Sequence, residues 1–198
     1  MIDSKTNRSR STLLACLLLL AAPLAGRAQD ELPLNIHANV ARAAGAGQGA
    51  TGMMQITIDR WTTDEEGQTV VDAIKAGNQA DIEKAMQKLK PVGKANLTGS
   101  MGLDLRIARH YPMEGGGSNI ILATDRPIGI GEAMRGGQST DYNTSLVVLN
   151  IPASGEGGEG YLAGAVMLTI GESGKIETET AGAGVTKLAG VKIQQKKK

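Results

Sequence analysis

The residues best suited to chemistry lie in and just after "IILATDRPIGIGEA", Ile120 to Ala133. An apolar run ends in Asp125 and Arg126. Pro127, two glycines and Glu132 follow, then Arg135, Asp141 and Tyr142, before the next apolar run, "SLVVLNI". If the two runs are adjacent strands, these side chains converge at one end of a sheet. A carboxylate from Asp125 or Asp141 could then act as acid, base or nucleophile, with Arg126 clamping an anion. His110 is the weaker candidate base. Such a cluster would suit a small hydrolase or isomerase. The competing reading is a structural latch, because charges leave water cheaply only when paired, so a mixed-sign cluster can persist with no catalytic role. With no aligned nucleophile or acceptor in the sequence, the latch is preferred. Asp125 and Arg126 are expected to pair with the Asp141-Tyr142 segment across the connecting loop.

Other chemistries find little support. The chain has two histidines, His37 and His110, far apart, and its one cysteine, Cys16, lies near the N-terminus. Zinc needs three or four clustered nitrogen or sulfur ligands, so no metal site is expected. "GEGGEG" offers two carboxylates without the aspartate spacing of a calcium loop. No G-x-S-x-G elbow is present. The glycine runs lack the Lys-Ser/Thr ending of a phosphate loop. No cofactor is implied.

The N-terminus carries Lys5, Arg8 and Arg10, then "STLLACLLLLAAPLAG" and "GRAQ". A basic start, a short apolar core and small residues after it describe a secretory signal, here residues 1–28 with cleavage after Ala28. An uncleaved anchor, or a lipoprotein signal using Cys16, are the lesser alternatives. Cleavage leaves 17 bases against 19 acids, since residues 1–28 hold four of the 21 bases and one of the 20 acids. That near-neutral balance gives no electrostatic case for nucleic acid. With no Phe, one Trp and three Tyr, the chain also lacks stacking platforms for bases or sugars. Its core must be aliphatic, and no transmembrane span remains once the signal is gone.

The elements that must position the candidates are mostly strands. "MMQITIDRW" and "LDLRIARHY" alternate apolar and polar, the mark of half-buried strands; the latter sets Leu103, Leu105 and Ile107 against Asp104 and Arg106. "NIILA", "SLVVLNI" and "YLAGAVMLTI" are apolar on both faces and read as central strands. "EGGGSN" and "GEGGEG" read as turns. Thr62 with Glu65, or Thr63 with Glu66, fits a capping box, and Asn78 suits a second N-cap. Together these predict an αα-hairpin over residues 62–90, closed by Pro91. The expected fold is α+β: a mostly antiparallel meander, barrel-like or strongly curved, with that hairpin inserted after an early strand. By region, residues 29–52 form a flexible segment with a candidate edge strand in "NIHANVARA", residues 53–194 a single domain, and residues 195–198 a basic tail.

The segments "ITIDRWTTDEE", "KLKPVG", "LDLRIAR", "ILATDRPIG" and "STDYNTSLVVLNI" resemble an uncharacterised family of secreted bacterial proteins sharing a Thr-Asp-Arg-Pro-Ile-Gly motif. The likeness covers about residues 53–151. This chain departs from the family pattern at Ile130-Gly131, where aromatics are usual, and at Asn143, where proline is. The resemblance implies export and a shared fold, and no activity. The expected role is therefore that of a periplasmic or extracellular, non-enzymatic envelope module, structural or ligand-binding. Its candidate partners are a small-molecule or lipidic ligand held within the curved sheet, or an envelope protein.

Overall fold

The computed structural model describes residues 32–41, 52–98, 102–126, 128, 144–171, 176–180 and 185–194. In chain order the elements are β1 (Leu34–Ala41), β2 (Gly52–Ile58), α1 (Asp64–Lys75), α2 (Gln79–Lys88), β3 (Gly93–Leu97), β4 (Leu103–Pro112), β5 (Ser118–Thr124), β6 (Thr144–Ile151), β7 (Gly158–Ile170), β8 (Ile176–Thr180) and β9 (Val185–Gln194). The strands pair antiparallel in the order β6-β5-β4-β3-β2-β1-β9-β7, and β6 pairs with β7 to close the ring. The result is an eight-stranded antiparallel barrel. β8 pairs with the second half of β7, from Val166 to Ile170. The architecture is thus mostly β, with two short helices appended, rather than a balanced α+β fold.

Alternation decides what fills the barrel. Ile36, Met54, Ile56, Ile58, Leu122, Leu149 and Leu162 point inward and are essentially inaccessible. A ring of eight strands leaves room for such side chains and little else, so aliphatic residues fill it. Two close approaches tighten the wall. At Gly160 a Cβ would lie 2.6 Å from the Val148 carbonyl oxygen, too near for any side chain. Gly190, at φ +60, is the extra residue where the β9 register shifts against both β1 and β7; glycine alone adopts that conformation without cost.

Three expectations change. β1 is not an edge strand: β2 pairs with one side and β9 with the other. "GEGGEG" is only partly a turn, since Gly158, Glu159 and Gly160 already belong to β7. The alternation through "LDLRIARHY" breaks at a bulge. Leu105 lies opposite Thr124 and Ile107 opposite Ala123, so Arg106 is the extra residue and Ile107 turns outward.

The helices form as their caps predict. Thr63 and Glu66 make the capping box, and the Asn78 side chain accepts the Ala80 N–H. Gly77, at φ +77, follows the last turn of α1. α1 buries Val70, Val71 and Ile74, and α2 buries Ile82 and Met86. Their counterpart is the barrel's outer wall, where Ile107, Ile121, Ala123, Leu146, Val166 and Leu168 form one apolar patch. Elsewhere the outer wall carries polar residues such as Asn35, Gln55, Lys94 and Lys192, half-buried to exposed. The barrel exterior is therefore two-sided, and the hairpin covers the apolar side.

Candidate functional site: an apolar cavity beneath the helical hairpin

The connection from β2 to α1, "DRWTTDEE", is pinned along its length. Arg60 Nη1 and Nη2 donate to Glu66 Oε2 and Oε1 at 2.8 and 2.9 Å, and Nη2 also donates to the Lys90 carbonyl at 2.8 Å. The hydrogen bond from Arg60, helped by the Thr63 N–H, holds the Glu66 carboxyl below its ordinary range; the same contact raises Arg60. Thr62, buried, pairs with β4: its N–H donates to the Ala108 carbonyl at 3.0 Å, and its Oγ1 accepts the Ala108 N–H at 2.8 Å. Arg109 donates to the Thr62 carbonyl at 3.0 Å and pairs with Asp64 at 2.8 Å. Burial works against the charge of Arg109, but Asp64 and Tyr111 outweigh it and its pKa lies above the ordinary value.

The other end of the hairpin is fastened too. Arg106, carried out of register by the bulge, donates through Nε to Asp125 Oδ2 at 3.2 Å and through Nη1 to the Leu89 carbonyl, just past α2, at 2.9 Å. Gln79, at the start of α2, bonds both backbone groups of Leu168 on β7.

Asp125 is thus a latch residue. It is 4% exposed, and its partner is Arg106, which the regular alternation disguises as an outward polar residue. Arg126 is exposed, while its carbonyl accepts from the Thr124 hydroxyl. Ser145 locks the same exit. Its buried hydroxyl accepts the Ile128 N–H and donates to the Gly164 carbonyl at 2.7 Å. The remaining candidates, Glu132, Arg135, Asp141 and Tyr142, lie outside the described residues, as do residues 1–28.

His110 does not join Asp125. It lies opposite Ile120, five residues along β5 from Asp125, or about 16 Å at roughly 3.3 Å per residue. It is already engaged, stacked on Trp61 with centroids 5.5 Å apart and 2.8 Å from Ser118 Oγ through Nε2. A catalytic cluster built on Asp125 with His110 as base is therefore not assembled. Among the described residues, no group of three metal-ligating side chains occurs and no helix is long and apolar enough to cross a membrane.

What the fasteners enclose is a cavity of about 50 Å³ between the hairpin and the apolar outer wall. Val70, Ile74 and Met86 form its roof; Ile107, Ile121, Ala123 and Leu146 form its floor. Arg109 and Tyr111 stand at the β4 side, with Leu168, Ile176 and Thr178 across from them. The Tyr111 hydroxyl is fully buried and has no hydrogen-bond partner of normal geometry among the described residues, although it stands close enough to favour the Arg109 cation. Two features depart from the expectation of a ligand within the sheet. The barrel interior is filled, and the cavity on the outer wall is far below the several hundred Å³ of a drug-sized or lipid pocket. Tyr111 and Arg109 carry no motif; only their i, i+2 spacing on one face of β4 could have drawn attention to them.

Comparison with protein-family models, with curated proteins and with solved structures finds no match to this chain.

Proposed function

We propose that this chain is an exported, non-enzymatic envelope module that binds a small ligand beneath its helical hairpin. One observation carries the reading: the Arg60–Glu66, Arg106–Asp125 and Arg109–Asp64 pairs all hold the hairpin over an apolar cavity, while the barrel interior is filled by side chains. Of the charged residues that suggested catalysis, Asp125 is engaged in that fastening, through Arg106. Export rests on the basic start, short apolar core and small residues of positions 1–28, and the likeness to a family of secreted bacterial proteins agrees with it. A ligand suits the cavity better than the barrel, because the hairpin is attached by side chains at both ends and can yield without breaking the ring of strands.

Native mass spectrometry of the protein purified from its own host's envelope tests the proposal. A retained small molecule is expected in the wild type. It should be missing from Ala123→Leu, which fills the cavity floor, provided that variant melts cooperatively. Retention of a partner chain and no small molecule would replace the reading with that of an interaction module. Recovery of the protein solely from the cytosol would overturn the export part.

A further inference from the structure

The lining of the cavity narrows the ligand, and this step rests on the site proposed above. We infer that the cavity takes a small, uncharged, apolar molecule of hydrocarbon type, held by dispersion and by withdrawal from water alone.

Every accessible atom of the lining is apolar. Val70, Ile74 and Met86 above, and Ile107, Ile121 and Leu146 below, are hydrocarbon or thioether side chains. Arg109, Tyr111 and Thr178 line the space through carbon. Their polar ends do not enter it. The Arg109 guanidinium is turned to the Thr62 carbonyl and Asp64, and the Tyr111 hydroxyl is inaccessible and lies against Arg109.

Such a lining selects by penalty. A donor or acceptor entering it would leave water without gaining a hydrogen bond, and an ion would leave water without gaining a counter-charge. An apolar guest forfeits neither. It also restores the dispersion contacts that an empty space denies its walls. No ordered water competes, because water needs polar partners and apolar cavities stay dry while accepting benzene or xenon. Size sets the scale of the guest. An engineered apolar cavity of about 150 Å³ takes benzene. The space here is about 50 Å³, so in its fastened state it admits a guest on the scale of xenon or propane. A wider hydrocarbon needs the hairpin to lift.

NMR titration of the purified protein tests this, with dissolved xenon and propane beside ethanol, ethylamine and formate, which match propane in heavy-atom count. Xenon and propane should shift the methyl signals of Val70, Ile121 and Leu146 and saturate. Ethanol should bind at least tenfold more weakly than propane, and ethylamine and formate should leave those signals unmoved. Ala123→Leu should abolish the xenon shifts. Ile74→Ala, which opens the roof, should gain benzene binding, and it carries the localisation should Ala123→Leu fail to melt cooperatively. Tyr111→Phe should leave propane binding unchanged, because the hydroxyl does not reach the guest. If ethanol or formate binds as well as propane, or Tyr111→Phe weakens propane tenfold, the apolar assignment falls and the site stands. If neither xenon nor propane binds, if xenon binds a folded Ala123→Leu like the wild type, or if Ile74→Ala gains no benzene binding, the site falls, and the ligand-binding part of the proposed function falls with it.

Discussion

Replacing Asp125 by asparagine tests the latch at its most buried point. Asp125 is 4% exposed and the side chain of Arg106 is 13% exposed, so the pair is largely withdrawn from water. Removing one charge from a buried pair costs about 3–5 kcal/mol, because the other is left uncompensated. Two features place this case at the lower end. Arg106 keeps its bond to the Leu89 carbonyl at 2.9 Å and lies 3.9 Å from Asp104, and asparagine retains an oxygen acceptor near the original position. The expected loss is about 3 kcal/mol, which lowers the melting temperature by about 6–12 °C at 2–4 °C per kcal/mol for a domain of this size. Urea denaturation monitored by circular dichroism measures it, with an unchanged m-value showing that the folded state is intact. The double variant Arg106→Met/Asp125→Leu sharpens the test, because swapping a whole buried pair for apolar groups is often neutral. It should recover most of the loss, giving a coupling energy of about 0.5–3 kcal/mol. A single-variant loss below about 0.5 kcal/mol, the usual range for surface changes, would refute the latch. So would a double variant that loses as much as the two singles added together.

Two further outcomes follow from the fastening. The folded-state pKa of Glu66 lies below its unfolded value because Arg60 favours the carboxylate. Its contribution is therefore fully present above the unfolded pKa of about 4.3 and is lost as pH falls through the lower, folded value; Glu66→Gln should flatten the stability profile in that acid window, read from denaturation midpoints between pH 7 and pH 3. Thr62→Val keeps the shape and removes the oxygen that accepts the Ala108 N–H, so it should cost about 1–3 kcal/mol and speed hydrogen exchange at Ala108.

Much of the framework was legible because it obeys local rules. Thr63, Glu66, Asn78 and Gly77 mark the helix ends through their own backbone chemistry, and the period-two pattern of Met54, Ile56 and Ile58 marks a strand whatever lies beside it. What failed depends on pairing. "NIHANVARA" looked like an edge because its polar face is polar, but a closed barrel gives β1 two neighbours and a polar outer face together. Arg106 departs from the alternation for a related reason. A bulge is specified by how two strands register, so a single strand's alternation assigns Arg106 to solvent when the register brings it to Asp125. Tyr111 could not be seen as unusual, since an unmet hydroxyl is a property of its surroundings. The opening motif does end a strand, β5, and Asp125 just beyond it is buried. The partner of that charge was Arg106, on a neighbouring strand.

The placement of the charges argues against the hairpin being a mere cover. A cover needs only its apolar face: Val70, Val71, Ile74, Ile82 and Met86 already bury enough surface to hold two short helices against the wall, at about 1.5–3 kcal/mol per large side chain. Ion pairs add little when exposed and carry a desolvation cost when buried, so they are an inefficient way to gain more adhesion. They are effective at fixing position. Arg60, Arg106 and Arg109 each bond a backbone carbonyl as well as a carboxylate, which sets where the hairpin sits over the wall. Close packing would collapse the roof onto Ile121 and Ala123; with the ends fixed, a space stays between them. Loosening the pairs should let the hairpin settle inward, so the space and the fasteners form one device.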